Sequence, residues 1–364
     1  MSKKIYFVVH DFSSQATGGV NRVVSETANE LAKDQNIEVN ILSLAPIDSP
    51  CYKISSEVQV HSLDMEKHST THYSSIFKVL WLIKSFLKII PFYLKERRVS
   101  AWNLTSPPLI ILFAFIFKGK NIFINCEHAS PMRKKSNFIL DGIRRFFLNR
   151  ADLTISLNKK DQKFYEKKGI KAKLVYNGVK FSKNIINKRE KTIIFVGRFE
   201  EQKNPLIALE IFYESKLWKN GYILKFFGSG KFYHDIIEKV KYYDIGDKVF
   251  LITDETDPDK IYTGASCLIM TSKYEGLPMV LIEAISRGIP CISYDCPQGP
   301  SEIIIDGVNG FLIENGNKSD FIKKLSELNY ENFLRKEIVS SAKKFDINYV
   351  VEEWKDLIKP SEVS

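Results

Sequence analysis

The chain has 364 residues, 44% of them hydrophobic, and a formal net charge of +10, the size and composition of about two ordinary domains with full cores. The charge is uneven: residues 1–179 hold 27 Lys and Arg against 15 Asp and Glu, while residues 180–364 hold 26 against 28, so an acidic partner surface is to be sought in the first half. Five cysteines (Cys51, Cys126, Cys267, Cys291 and Cys296) lack CxxC or CxxH spacing, which argues against a zinc site, and the most apolar run, Leu109–Phe117, is too short for the about 20 residues that cross a bilayer.

Lys3 and Lys4 lead straight into a strand at Ile5–Val9, with no signal-peptide pattern. A polar loop reaches Gly18 and Gly19, and a helix follows with Val20, Val23, Val24, Thr27, Ala28 and Leu31 on one face. Val39–Leu44 is the next strand and completes a βαβ unit whose glycine-bearing loop suits close approach by a phosphate or sugar. The loop is not GxGxxG, so a nicotinamide site is not expected.

After a strand at Val58–His61, the segment Tyr73–Val99 sets Ile76, Phe77, Leu80, Trp81, Ile83, Phe86, Leu87, Ile90 and Phe92 among Lys78, Lys84, Lys88, Lys95, Arg97 and Arg98. A second basic and aromatic stretch, Met132–Arg150, carries Arg133, Lys134, Lys135, Arg144, Arg145, Phe146 and Phe147. Each reads either as a core face backed by solvated charge or as a surface for an anionic membrane interface; two such segments in the basic half favour the membrane. Between them, Ala101–Leu104, Pro107–Phe117 and Asn121–Asn125 read as strand, helix and strand. The last runs into Cys126-Glu127-His128 and so places a histidine at the C-terminal end of a strand, where ligands of open α/β sheets bind. A strand at Leu153–Leu157, a charged helix at Lys159–Lys168 and a strand at Lys173–Tyr176 end the half at the Asn177-Gly178 turn, and Ser182–Lys191 suits a linker.

The pattern then restarts. Thr192–Val196 is a strand, and the loop Gly197–Pro205 leads to a helix at Leu206–Glu214, setting Arg198 and Lys203 beside a helix N-terminus, as a diphosphate requires. Tyr222–Phe227, Lys248–Thr253 and Cys267–Thr271 are strands. Asp257-Pro258-Asp259 matches a metal-binding DxD pair, but it stands directly before a helix at Lys260–Gly264 and reads as an N-cap. Cys126, Cys267 and Cys291 lie in apolar strand-like runs, where reduced buried thiols are expected, and a reducing cytoplasm is the expected compartment.

The stretch Tyr274–Pro290, YEGLPMVLIEAISRGIP, holds Glu275 and Glu283 around a helix start. Gly276 permits a sharp turn, and a helix is expected from Leu277 or Pro278, with Val280, Leu281, Ala284 and Ile285 at helical spacing and Gly288 and Pro290 ending it. Its free N-terminal amides form a seat for an anion. Taken singly, a Glu before a helix complements the dipole and a Glu within one faces water. Cys291–Tyr294 and Phe311–Ile313 are the last strands, and late helices end near Ile358 with Trp354 as a packing anchor.

VGRFEEQKNP, SKYEGLPMVLIEA and GPSEIIIDGVNGFLI occur in an order that resembles the retaining GT-B glycosyltransferases of family 4, of the bacterial surface-polysaccharide type. The resemblance implies an α/β fold of two Rossmann-like domains facing a cleft: an acceptor-binding domain at 1–179, a nucleotide-sugar domain at 180–345, and a C-terminal helix at 346–364 that crosses back to the first domain. It further implies that Arg198 and Lys203 bind the donor diphosphate, that Glu283 takes the ribose hydroxyls, and that Glu275 and amides near Gly276 and Leu277 hold the donor sugar or phosphate. Gly18 and Gly19 would approach the phosphates, and His128 the donor sugar. The donor would be a UDP-hexose or UDP-N-acetylhexosamine, transferred with retention and without a metal. The acceptor would be a glycan or polyprenyl-linked saccharide at the inner face of the cytoplasmic membrane, with no nucleic-acid partner. A non-catalytic nucleotide-sugar or membrane-binding partner in an assembly complex is the alternative.

Overall fold

A computed structural model describes residues 3–16, 18–65, 75–96, 99–114, 121–128, 138–181 and 189–358. It divides into two compact units, Met1–Gly178 together with Ile347–Ser364, and Val179–Asp346.

The first unit runs β1 (Lys3–Val9), α1 (Gly19–Leu31), β2 (Ile37–Ser43), β3 (Val58–Ser62), α2 (Ser75–Lys95), β4 (Ala101–Leu104), α3 (Pro107–Ala114), β5 (Ile122–Cys126), α4 (Phe138–Leu148), β6 (Leu153–Ser156), α5 (Lys159–Lys167) and β7 (Ala172–Leu174). Its strands are parallel, in the order β3-β2-β1-β4-β5-β6-β7. Tyr6, Phe7, Val8 and Trp102 are almost fully buried, as unbroken apolar strands covered on both faces should be. Tyr6 stacks on Trp102 at 4.6 Å between ring centroids.

The second unit runs β8 (Thr192–Val196), α6 (Pro205–Glu214), β9 (Ile223–Phe227), α7 (Tyr233–Tyr242), β10 (Val249–Ile252), α8 (Pro258–Tyr262), β11 (Ala265–Met270), α9 (Met279–Ser286), β12 (Cys291–Asp295), α10 (Pro300–Ile303), β13 (Gly310–Glu314), α11 (Lys318–Ser326) and α12 (Arg335–Ser341). Its sheet is also parallel, in the order β10-β9-β8-β11-β12-β13. The last helix, α13 (Ile347–Leu357), belongs to the first unit: Trp354 packs on Phe7 and Lys355 pairs with Asp34 at 3.2 Å.

In each sheet the strand order reverses beside the first strand, between β1 and β4 and between β8 and β11. The loops leaving such neighbours diverge, and this crevice at the C-terminal edge is where open α/β sheets bind ligands.

Several expectations are corrected. Helix α9 starts at Met279, because Pro278, with ψ 97°, is still extended and serves as the N-cap. Helices α4 and α7 stand where no element was expected. The amphipathic segment divides: Ile89 and Tyr93 are buried, while Ile83, Leu87 and Leu94 are exposed. Arg97, Arg98, Arg133, Lys134, Lys135, residues 182–188 and the end of the Leu109–Phe117 run lie outside the described residues, as do the side chains of Ile76, Phe77, Lys78 and Leu80. Among the described residues no helix is long and apolar enough to cross a membrane.

Candidate functional site

In the second unit the reversal sets the β8 loop against the β11 loop. Thr271 donates its hydroxyl to the carbonyls of Lys203 and Asn204 at 3.1 and 2.9 Å, Gln202 donates its amide to Tyr274 O at 3.0 Å, and Lys273 N donates to Gln202 O at 2.8 Å. These bonds carry Lys203 to Glu275: Nζ stands 2.7 Å from Oε1, with the side chains 17% and 8% exposed. Arg198 lies on the same loop, exposed, and reaches Gln202 Oε1 at 3.4 Å.

Close backbone packing shapes this edge. Gly228, which follows β9, has φ +137°, and a Cβ there would overlap the Gly197 carbonyl, so only glycine lets the two loops meet. Gly299, with φ +96°, would set a Cβ 2.6 Å from Gly276 O and similarly against Pro278. The turn before α9 is thereby held from behind. The first amides of α9 have no intrahelical acceptors.

Glu283 faces inward at 4% exposure and accepts from the Tyr262 hydroxyl at 2.7 Å. A helical Glu facing water is thus not what this residue is. Arg287 lies over the Tyr262 ring and pairs with Asp259 at 2.9 Å. Asp257 accepts from Asp259 N at 2.9 Å and caps α8, the capping role its position predicts. Among the described residues no group of three or more His, Cys, Asp and Glu is placed to hold a metal ion.

Sequence reasoning missed several residues here. Gln202 and Thr271 tie the loops together, Tyr262 positions Glu283, and Ser272 and Asp295 each bury a side-chain oxygen that has no hydrogen-bond partner. Ser272 follows β11 and Asp295 ends β12, so both stand at the C-terminal edge. No local pattern distinguishes such residues from ordinary loop polars. Only the order of the strands reveals them.

In the first unit, His128 follows β5 and shares a small crevice with Cys126, Asn103, Val24, Thr27 and Tyr176. Its Nε2 lies 3.7 Å from Cys126 Sγ, and desolvation pushes the imidazole down to about 4, so it is neutral near pH 7. Its neighbour Glu127 points into the protein, accepts from Tyr165 OH at 2.6 Å and pairs with Arg144. Burial raises the Glu127 pKa. Gly18 caps α1, and the Tyr52 hydroxyl accepts from its amide at 3.1 Å. A Cβ on Gly18 or Gly19 would meet nothing within 4 Å, so the backbone there is open to approach.

Residues 178–345 match the family model described as glycosyl transferases group 1. The chain is 30% identical over 367 residues to the GalNAc-alpha-(1->4)-GalNAc-alpha-(1->3)-diNAcBac-PP-undecaprenol alpha-1,4-N-acetyl-D-galactosaminyltransferase of Campylobacter jejuni, covering 98% of each chain. It is 26% identical to the amylovoran biosynthesis glycosyltransferase AmsD of Erwinia amylovora, covering 94% of this chain and 96% of the relative. Among solved structures, a mutant of S. aureus TarM in complex with fondaparinux, alpha-GlcNAc-glycerol and UDP superposes with a TM-score of 0.76 at 15% identity, over 98% of this chain and 100% of that one.

Proposed function

The chain belongs to the group 1 glycosyl transferases and has their GT-B fold of two Rossmann-like domains, and from that premise we propose a retaining family 4 enzyme that transfers a hexose or N-acetylhexosamine from a UDP-sugar. The acceptor in this reading is a glycan or polyprenyl-linked saccharide of bacterial surface-polysaccharide synthesis. The observation that carries it is the Lys203–Glu275 pair beside Arg198 at the strand-order reversal.

An ammonium has three donors, and Glu275 takes one from Lys203, which leaves two for a diphosphate. Arg198 adds an exposed guanidinium beside Gln202. As the sugar–phosphate bond breaks, negative charge grows on the departing UDP, and these two cations with the first amides of α9 meet it without rearrangement. Glu275 and the amides near Gly276 and Leu277 hold the donor sugar or phosphate. Glu283, oriented by Tyr262, accepts from the ribose hydroxyls. The acceptor hydroxyl attacks on the face the nucleotide leaves, and no metal is required. In the first unit, which we assign to the acceptor, Gly18 and Gly19 offer open backbone to a phosphate, and His128 presents a neutral imidazole for contact with a sugar. The UDP named with TarM and the undecaprenyl carrier named for the Campylobacter relative support the donor and acceptor classes.

The exposed Ile83, Leu87 and Leu94 of α2 and Ile143 and Phe146 of α4, interleaved with Lys84, Lys88, Lys95 and Arg145, support docking of the first unit on an anionic membrane at its inner face. Titrating UDP by calorimetry tests the donor site. Saturable binding that weakens in both Arg198→Ala and Lys203→Ala is expected; no UDP binding, or binding indifferent to both, overturns the reading.

A further inference from the structure

The second unit holds a second concavity at the opposite edge of its sheet. A cavity of about 920 Å³ opens where β8, β9 and β11 begin, lined by Arg189, Lys191, Tyr222, Tyr330, Arg335 and Lys336. The five residues of β8, at about 3.3 Å each, set it about 16 Å from the Gly197 loop. It is therefore separate from the donor residues.

Its charge is only partly compensated from within. Arg189 spends its Nη atoms on backbone carbonyls: Nη1 donates to Tyr330 O, and Nη2 to Gly288 O at 3.0 Å and Phe333 O at 3.2 Å. Its Nε is buried with no partner. Neither Arg189 nor Arg335 forms an ion pair among the described residues. Burial first, and then the Arg335 charge, lower the Arg189 pKa. Two exposed carboxylates, Glu190 and Glu337, also line the opening, against four cations.

The Tyr330 hydroxyl is also buried, in a residue 9% exposed, with the Ser266 hydroxyl as its nearest polar neighbour. Ser266, beside it in the lining, donates its hydroxyl to Thr192 O at 3.0 Å. A half-buried guanidinium that has no counter-ion, with its Nε unpartnered, costs free energy. A ligand that brings negative charge and acceptor oxygens lowers that cost. The volume falls in the range of small-molecule sites, about 300–1,000 Å³, and is larger than one inorganic anion needs.

We propose that this cavity is a second ligand site, which takes a phosphate- or carboxylate-bearing saccharide between Arg189, Arg335 and Tyr330. The anionic group meets the two guanidiniums and the exposed ammonium of Lys336. The sugar hydroxyls accept from Tyr330.

The test is calorimetry of the full chain, with and without saturating UDP, against two probes: glucose 1-phosphate, a small sugar phosphate, and tetragalacturonate, an acidic glycan segment. The variant is Arg335→Ala with Lys336→Ala. Arg335 is half-buried, Lys336 is exposed, and neither forms an ion pair among the described residues; unchanged circular dichroism and melting confirm folding. At least one probe is expected to bind saturably with UDP present, about tenfold or more weakly in the double variant, while UDP affinity is unchanged. Binding of the first probe alone identifies a free sugar phosphate, and of the second alone an acidic glycan. Arg335→Glu is expected to abolish binding. Saturable binding of neither probe, or equal binding by wild type and both variants, overturns the site. The UDP titration reports separately on the donor reading.

Discussion

Lys203 Nζ and Glu275 Oε1 lie 2.7 Å apart although 72 positions separate them in the chain. They meet because β8 and β11 are neighbours in the sheet, and because Thr271 and Gln202 lock the loops that follow those strands. Glu275 thus orients the ammonium before any ligand arrives, and in the donor site proposed above this would lower the reorganisation that a developing diphosphate charge demands.

Glu275→Gln is expected to keep UDP binding within about threefold, because the amide still accepts from Lys203. Transfer should fall by about 100-fold or more, the scale of losing one transition-state contact. Lys203→Ala leaves Glu275 largely buried without a counter-ion and should destabilise the chain by about 3 kcal/mol. Donor turnover and urea unfolding of the two variants separate these effects. Equal loss of UDP affinity in both would contradict the division of roles.

Glu283 and Tyr262 give a different signature. Wild type should prefer UDP to 2′,3′-dideoxy-UDP, and Glu283→Ala should bind the two equally. Tyr262→Phe removes one hydrogen bond and should narrow the preference by about 1 kcal/mol. Calorimetric titration with both nucleotides reads the result, and an unchanged preference in Glu283→Ala removes the ribose assignment.

The histidine after β5 sets a pH dependence. His128 titrates at about 4 in the folded chain against an ordinary 6.5, so between these values the unfolded chain binds the extra proton and stability rises with pH. Wild type should therefore lose stability relative to His128→Gln as pH falls from 6.5 toward 4, with no divergence above 7. Glu127, whose pKa burial raises, acts with the opposite sign but is common to both chains. Denaturant unfolding at several pH values measures the difference; parallel profiles would contradict it.

Gly228→Ala forces a Cβ into the Gly197 carbonyl at φ +137°. It should cost about 2 kcal/mol or more and weaken UDP binding through the displaced β8 loop. Gly246→Ala, where a Cβ meets nothing within 4 Å, should lie within about 0.5 kcal/mol of wild type. Thermal melting compares them.

Exposed Leu87 and Phe146 are 64% and 57% accessible. Replacing both by Asp should abolish sedimentation with phosphatidylglycerol vesicles without lowering the melting temperature. Wild type should be released as salt rises. Failure of wild type to sediment at low salt argues against membrane docking.

Much of the site could be read locally. Arg198, Lys203, Glu275 and Glu283 stand in loops after strands or at a helix start, and Asp257 before a helix reads as a cap, because these are short-range patterns of spacing and capping. The long-range facts could not be read. Nothing near Tyr262 announces that it orients Glu283, nothing in Arg189 that its charge faces a cavity, and the spacing of α2 does not separate the buried Ile89 from the exposed Leu87.

The sequence by itself determined the alternation of buried strands and one-sided helices, and the residue types at each loop, since hydrophobic periodicity reports which face of an element is dry. Tertiary structure alone decided that the β8 loop meets the β11 loop, that Glu283 is buried, and that two arginines share one cavity. Proximity across dozens of residues depends on the order in which strands pair. That order is chosen by the packing of whole layers, a sum over many weak contacts that leaves no mark at any single position.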